Sequence, residues 1–295
     1  MLTVLGFYQR WQSKIHKIVR AMKEYEEKRA SDCLYKRRSD SLKSEYLPSG
    51  TPQPKGRMSV SMERRITNYE DFITVLLEAG FSMGGGNSEG IFSVINWNWN
   101  EGPSYETPVC WHTGDRETDP WEWRMRVLDE RRDIAYAKVF NKKSGYLVKE
   151  WVPYFLAIRR GNKSFEEAYE EGTISNAAKR IYKAIEDYGT LPLHGIKVLA
   201  AFAKEEKSEF DKALVELQMK MYLTMCGRQQ KISKKGEEYG WSSTVFCTTE
   251  SFWGEEVFDK AAKIDREIAM QKITEQIIRL NPDAQEKKIV KFIQG

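Results

Sequence analysis

Apolar residues recur every three or four positions along several stretches of this chain, and each such stretch predicts a helix. Phe72, Ile73, Leu76 and Leu77 do so behind the capping residues Thr67 and Asn68, with Glu70 in the first turn and Gly80 as the stop. The spacing predicts another helix from about Asp119 to Phe140, opened by Pro120 and carrying Val127, Ile134 and Ala135 on its apolar side. The following "GYLVKEWVPYF" reads as extended, and 162–172 as a short helix ended by Gly172. Residues 81–122 between the first two helices are rich in Gly, Asn and Trp and read as loop.

The pattern sharpens after residue 173. Ser175 caps a helix with Ala178, Ile181 and Ile185 inside and Gly189 at its end. Leu191 and Pro192 lead a second helix through Ile196, Leu199 and Phe202, and a third over 208–222 turns Phe210, Leu214, Leu217 and Met221 inward. "YLTMCG" and "TVFCTT" then read as strands on either side of a polar, lysine-bearing hairpin, with Tyr239 and Trp241 stapling its end. Helix, strand, two helices, strand, hairpin, strand is the order of a winged helix, whose third helix can enter a nucleic-acid groove while the hairpin touches the backbone. His194, at the start of the second helix, reads as a helix-end polar group.

These elements predict a mainly α protein with small β hairpins and at least one winged-helix domain. The expected organisation is a basic N-terminal helix (5–30) and Ser/Pro/Gly-rich linker within 1–61, a helical domain with a Trp-containing loop over 62–172, the winged helix over 173–254, and C-terminal helices over 255–295. Residues 1–61 read as a tether, or as sequence ahead of a start at Met62.

Charge adds a direction. Residues 1–65 hold 15 Lys and Arg against 7 Asp and Glu, whereas the remainder holds 32 against 36. The excess is therefore N-terminal, and 173–253, with 12 cations against 10 anions, is only slightly basic. Within it the cations gather on the third helix and the hairpin. Lys207, Lys212, Lys220, Arg228, Lys231, Lys234 and Lys235 are the candidate contacts to phosphates, and double-stranded DNA is the expected partner. A composition with 41% hydrophobic and 31% charged residues suits a folded chain. It has no apolar run of spanning length, and the N-terminus has no secretory apolar core, so a cytoplasmic location is expected. Four scattered cysteines and three scattered histidines match no metal or disulfide framework; neither metal nor cofactor is expected. The glycine run "MGGGNSEG" lacks the Gly-Lys-Ser/Thr of a phosphate loop and reads as a turn.

The densest chemistry lies in "CWHTGDRETDPWEWR", 110–124. Asp115, Glu117 and Asp119 offer carboxylates, and Trp111, Trp121 and Trp123 offer aromatic planes. A structural role is equally open, with Asp119-Pro120 starting a helix and the tryptophans pinning a long loop. "WHTGDRETDPWEWR", followed by "RRDIAYAKVFNKKSGYLVKEWVPYF" and "KKGEEYGW", resembles the bacterial AlkZ-related proteins over about residues 64–255. These are relatives of the AlkZ/YcaQ DNA glycosylases, which the resemblance presents as tandem winged helices that cut the N-glycosidic bond of damaged purines. Active members use Gln-x-Asp or Gln-x-Gln to position water, and neither motif occurs here. By order along the chain, His112-Thr113-Gly114-Asp115 is the nearest equivalent. The resemblance thus offers His112, Asp115 and Glu117 as candidate catalytic residues and Trp111, Trp121 and Trp123 as the aromatic cluster. Three functions follow as competitors: a non-catalytic winged-helix nucleic-acid binder, a glycosylase on modified purines, and a protein-interaction module.

Overall fold

The computed structural model describes residues 65–86, 89–232 and 238–295. The expected N-terminal helix and linker lie outside them, as do Lys234 and Lys235 and the side chains of Tyr239 and Trp241. Residues 64–295 form one compact unit.

The first helix, α1 (Tyr69–Ala79), is capped by Asn68, whose side chain accepts from the Asp71 N–H. It stops at Gly80, where φ is +83° and any Cβ would lie 2.0 Å from the Trp151 ring. Strand β1 (Phe81–Met83) follows, and then a long loop to α2 (Pro120–Glu130). The helix expected to run on to Phe140 ends ten residues earlier. Arg131 is extended at φ −110° and ψ 142°, and Ile134–Phe140 is strand β2. The sequence "IAYAKVF" is β-branched and aromatic at alternate positions, so sheet packing takes residues whose apolar spacing had looked helical. Asn141 and Lys142, both at positive φ (50° and 61°), turn the chain tightly into β3 (Lys143–Val148). Only the first part of "GYLVKEWVPYF" is extended; a 3-10 turn (Lys149–Trp151) leads to α3 (Val152–Arg159).

The second half follows the expected order closely: α4 (Phe165–Glu170), α5 (Asn176–Tyr188), β4 (Leu191–Pro192), α6 (Leu193–Leu199), α7 (Lys207–Met219), β5 (Leu223–Ile232) and β6 (Glu238–Thr248). Helices α8 (Thr249–Trp253), α9 (Glu255–Ala262), α10 (Arg266–Leu280) and α11 (Glu286–Gln294) close the chain.

Among the described residues six strands form one antiparallel sheet in the order β1-β3-β2-β5-β6-β4. The expectation of a mainly α protein with small hairpins is therefore corrected to a mixed α/β fold. The decisive link is β2 with β5, Tyr136 opposite Met225, which joins strands from either side of the 172/173 boundary. One face of the sheet, with Phe81, Ala135 and Leu147, packs on α3, α10 and α11, where Phe140 and Phe292 stack at 4.1 Å. On the other, Tyr146 meets Phe72 of α1 at 5.2 Å, and Phe72 stacks on Trp123 of α2 at 5.1 Å. Among the described residues no helix is long and apolar enough to cross a membrane.

Candidate nucleic-acid interface

Helix α7 is amphipathic: Phe210, Ala213, Leu214 and Leu217 are buried, while Lys207, Ser208, Asp211 and Lys212 face solvent. Its C-terminal half is pinned to the sheet. The buried Gln218 donates to Leu214 O at 2.9 Å, and its Oε1 accepts from the Lys138 N–H of β2 at 3.0 Å. Arg159 closes the same corner. Its guanidinium donates to Met219 O at 3.0 Å, Val139 O at 2.6 Å, Phe292 O at 2.7 Å and Ile293 O at 2.8 Å. Burial lowers its pKa to about 9.

Between α7 and the sheet runs a groove of about 1140 Å³. Its floor includes Leu193, Met225 and Phe246; its rim carries Lys207 and Lys212 of α7 and its C-cap Lys220, with Lys138 of β2 and Lys142 of the β2–β3 turn. Asp211 pairs with Lys207 at 3.3 Å, and Glu216 accepts from the N–H and Oγ of Ser175 at 3.1 and 2.6 Å. Among the described residues the other four lysines have no carboxylate partner. Glu205 lines the groove as well, so five lysines stand against Glu205, Asp211 and Glu216, and the excess of cations on one concavity attracts a polyanion.

Arg228 and Lys231 stand apart from that rim. Arg228 lies opposite Thr244, which lines the groove, but its Nε and Nη2 both donate to Asp129 Oδ2 of α2, at 3.0 and 2.9 Å. Burial raises the Asp129 pKa, with the Arg228 charge opposing. Lys231 is at the far end of β5, and the exposed His194 has its pKa lowered by desolvation first and by Lys231 second.

Sequence reasoning found three of the five rim lysines. It does not single out Lys138 and Lys142: "KVF" falls at the end of the helix expected over 119–140, and "NKK" lies just past it. The Asn-Lys turn between β-branched and aromatic residues was the available signal.

The 110–124 segment is organised by the fully buried Asp119. Its carboxylate accepts from the N–H groups of Trp121 (2.8 Å), His112 (3.1 Å) and Gly114 (2.9 Å). One side chain thus caps α2 and folds back the loop before it, with His112 held at φ +63°. His112, Asp115 and Glu117 are exposed and line no part of the groove. Asp115 accepts from the Glu117 N–H at 2.8 Å, and Glu117 pairs with Arg126 at 2.7 Å. The three tryptophans separate: Trp123 is wholly buried, Trp111 packs over Gly85 and donates to Trp97 O at 3.2 Å, and Trp121 is 40% exposed. Among the described residues no group of His, Cys, Asp and Glu could hold a metal ion.

The AlkZ-related family profile matches residues 66–294. The chain belongs to the AlkZ-related family. No curated protein and no solved structure is a significant match. In this AlkZ-related chain the match runs past residue 255, where the resemblance read from motifs ended, and takes in α9, α10 and α11.

Proposed function

We propose that the protein is a non-catalytic nucleic-acid-binding member of the AlkZ-related family that holds double-stranded DNA on the lysine-rimmed groove beside α7. On this reading 173–254 is a winged helix, with α7 as its third helix and β5–β6 as its wing, and the protein works in the cytoplasm. The observation that carries it is the convergence of Lys138, Lys142, Lys207, Lys212 and Lys220, from three separate elements, on one concavity. Family membership supports the nucleic-acid class of partner. The wall that β2 builds along the C-terminal half of α7 favours contacts to phosphates over deep insertion of the helix.

Against catalysis stands the state of the carboxylates. Base excision needs an open carboxylate beside a base-sized cleft. Asp119 is spent on three backbone amides, and Asp115 and Glu117 serve a surface turn.

The test is the salt dependence of duplex binding. Wild-type protein should form a complex at low salt whose log affinity falls linearly with log salt. The double reversal Lys142→Glu/Lys212→Glu should lower the affinity and reduce the slope by about 2, one unit per lysine. No complex at low salt, or a variant indistinguishable from wild type, refutes the reading. Abasic sites appearing in alkylated DNA would refute its non-catalytic part.

A further inference from the structure

The lysine groove leaves one conspicuous surface unused. Trp99 on the loop ahead of α2 is 68% exposed and Trp121 in the first turn of α2 is 40% exposed, and both border the His112 imidazole, at ring separations of 6.1 and 5.0 Å. Stability does not explain the arrangement. An indole with two thirds of its surface in water contributes little burial, and large exposed aromatics are uncommon unless something covers them. The loop also pays in backbone strain, since His112 occupies the left-handed region and is kept there by the buried Asp119.

The charges around the rings indicate what covers them. The guanidinium of Arg124 lies 3.0 Å from the centre of the Trp121 ring. Its neighbours Arg116 and Arg126 are neutralised by Glu130 and Glu117. Arg124 has no carboxylate partner among the described residues, and its Nε–H is buried without a hydrogen-bond acceptor. Three carboxylates of the loop are engaged: Asp115 with a backbone amide, Glu117 with Arg126, and Glu101 with the Asn98 side chain. A surface for a methylated cation leaves the ring faces to that cation, whereas here the Arg124 guanidinium is already packed on the Trp121 ring. Aromatic planes next to an uncompensated guanidinium suit a ligand that is planar at one end and anionic at the other.

We propose that Trp99, His112, Trp121 and Arg124 form a second binding site that takes an unpaired nucleotide, with the base stacked on the indoles and the phosphate toward Arg124. The inference rests on the nucleic-acid reading above but uses different residues. In a duplex the base faces are already stacked on one another, so this site selects strands with at least one base unpaired.

The experiment titrates the full chain against a labelled single-stranded DNA of about 20 nucleotides, and against the same sequence as a fully paired duplex. Trp99→Ala/Trp121→Ala should weaken single-strand binding by roughly 5- to 150-fold while changing duplex binding less than about 2-fold. Arg124→Gln should weaken the single-strand complex and reduce its salt slope by about 0.7. Single-strand binding should also quench tryptophan fluorescence in the wild type and not in the double variant. Because both indoles are exposed, the double variant should melt as the wild type does, which separates lost binding from lost folding. Three results overturn the proposal: equal single-strand affinity in wild type and double variant, loss caused by Lys142→Glu/Lys212→Glu instead, or duplex binding alone. The last leaves the groove reading standing; binding of neither probe removes both.

Discussion

Asp119 does more than any other single residue in the aromatic loop, and its role was partly legible beforehand. Asp followed by Pro is a helix start, and the structure adds two loop amides to the cap. Asp119→Ala removes the cap and leaves the His112 and Gly114 N–H groups without their acceptor. The expected loss is about 2–3 kcal/mol, read from denaturant midpoints. Asp119→Asn keeps one oxygen and should lose roughly half as much. A loss equal to that of Ala would show that both oxygens are indispensable. His112 and Asp115, which the family resemblance brought forward, have no comparable hold on the structure. Their substitution by Ala should change stability by less than about 0.5 kcal/mol.

At the scale of elements, the helices of 173–222 were readable because caps and apolar spacing agree there. Ser175 accepts from Ala178 N and Gly189 stops α5, as the spacing indicated. The β2–β3 hairpin was not readable in the same way. Val127, Ile134 and Ala135 keep a helical period across a break that only the extended Arg131 and its pair with Asp133 create. That miss hid the rim lysines Lys138 and Lys142. Trp99 was hidden too, since side-chain exposure in a loop depends on packing that local sequence does not encode. Element packing also qualifies Arg228. Its charge is held by Asp129 at the end of α2, so α2 restrains a cation that the sequence offered to DNA. Asp129→Ala should release Arg228 and tighten duplex binding by about 2- to 5-fold at low salt, a gain that vanishes in Asp129→Ala/Arg228→Ala. The pH trend has the same sign. Burial raises the Asp129 pKa, so falling pH neutralises this carboxyl before an ordinary one and frees Arg228. Wild-type affinity should therefore rise on mild acidification more than that of Asp129→Ala, and equal pH profiles would contradict the restraint.

Residues 65–295 are held together by the sheet and by the Arg159 guanidinium. Because β2 hydrogen-bonds to β5, the first hairpin and the α5–β6 segment share one sheet, and Arg159 ties α7, β2 and α11 through four carbonyls. At that corner its charge is met by the dipoles of four carbonyls. Replacing a buried ion pair by apolar groups is often tolerated because both charges leave. Arg159→Met instead strands four acceptors that local secondary structure does not satisfy. A loss of about 3 kcal/mol or more is expected, with Arg159→Lys intermediate, because an ammonium has three donors and no planar fork. The form of the transition matters as much as its size. If the shared sheet makes residues 65–295 one cooperative body, Arg159→Met should still unfold in a single calorimetric step, with α11 amides exchanging faster below it. Two separated steps would show that the 62–172 and 173–254 segments fold independently despite their common sheet, with Arg159 as the clasp between them.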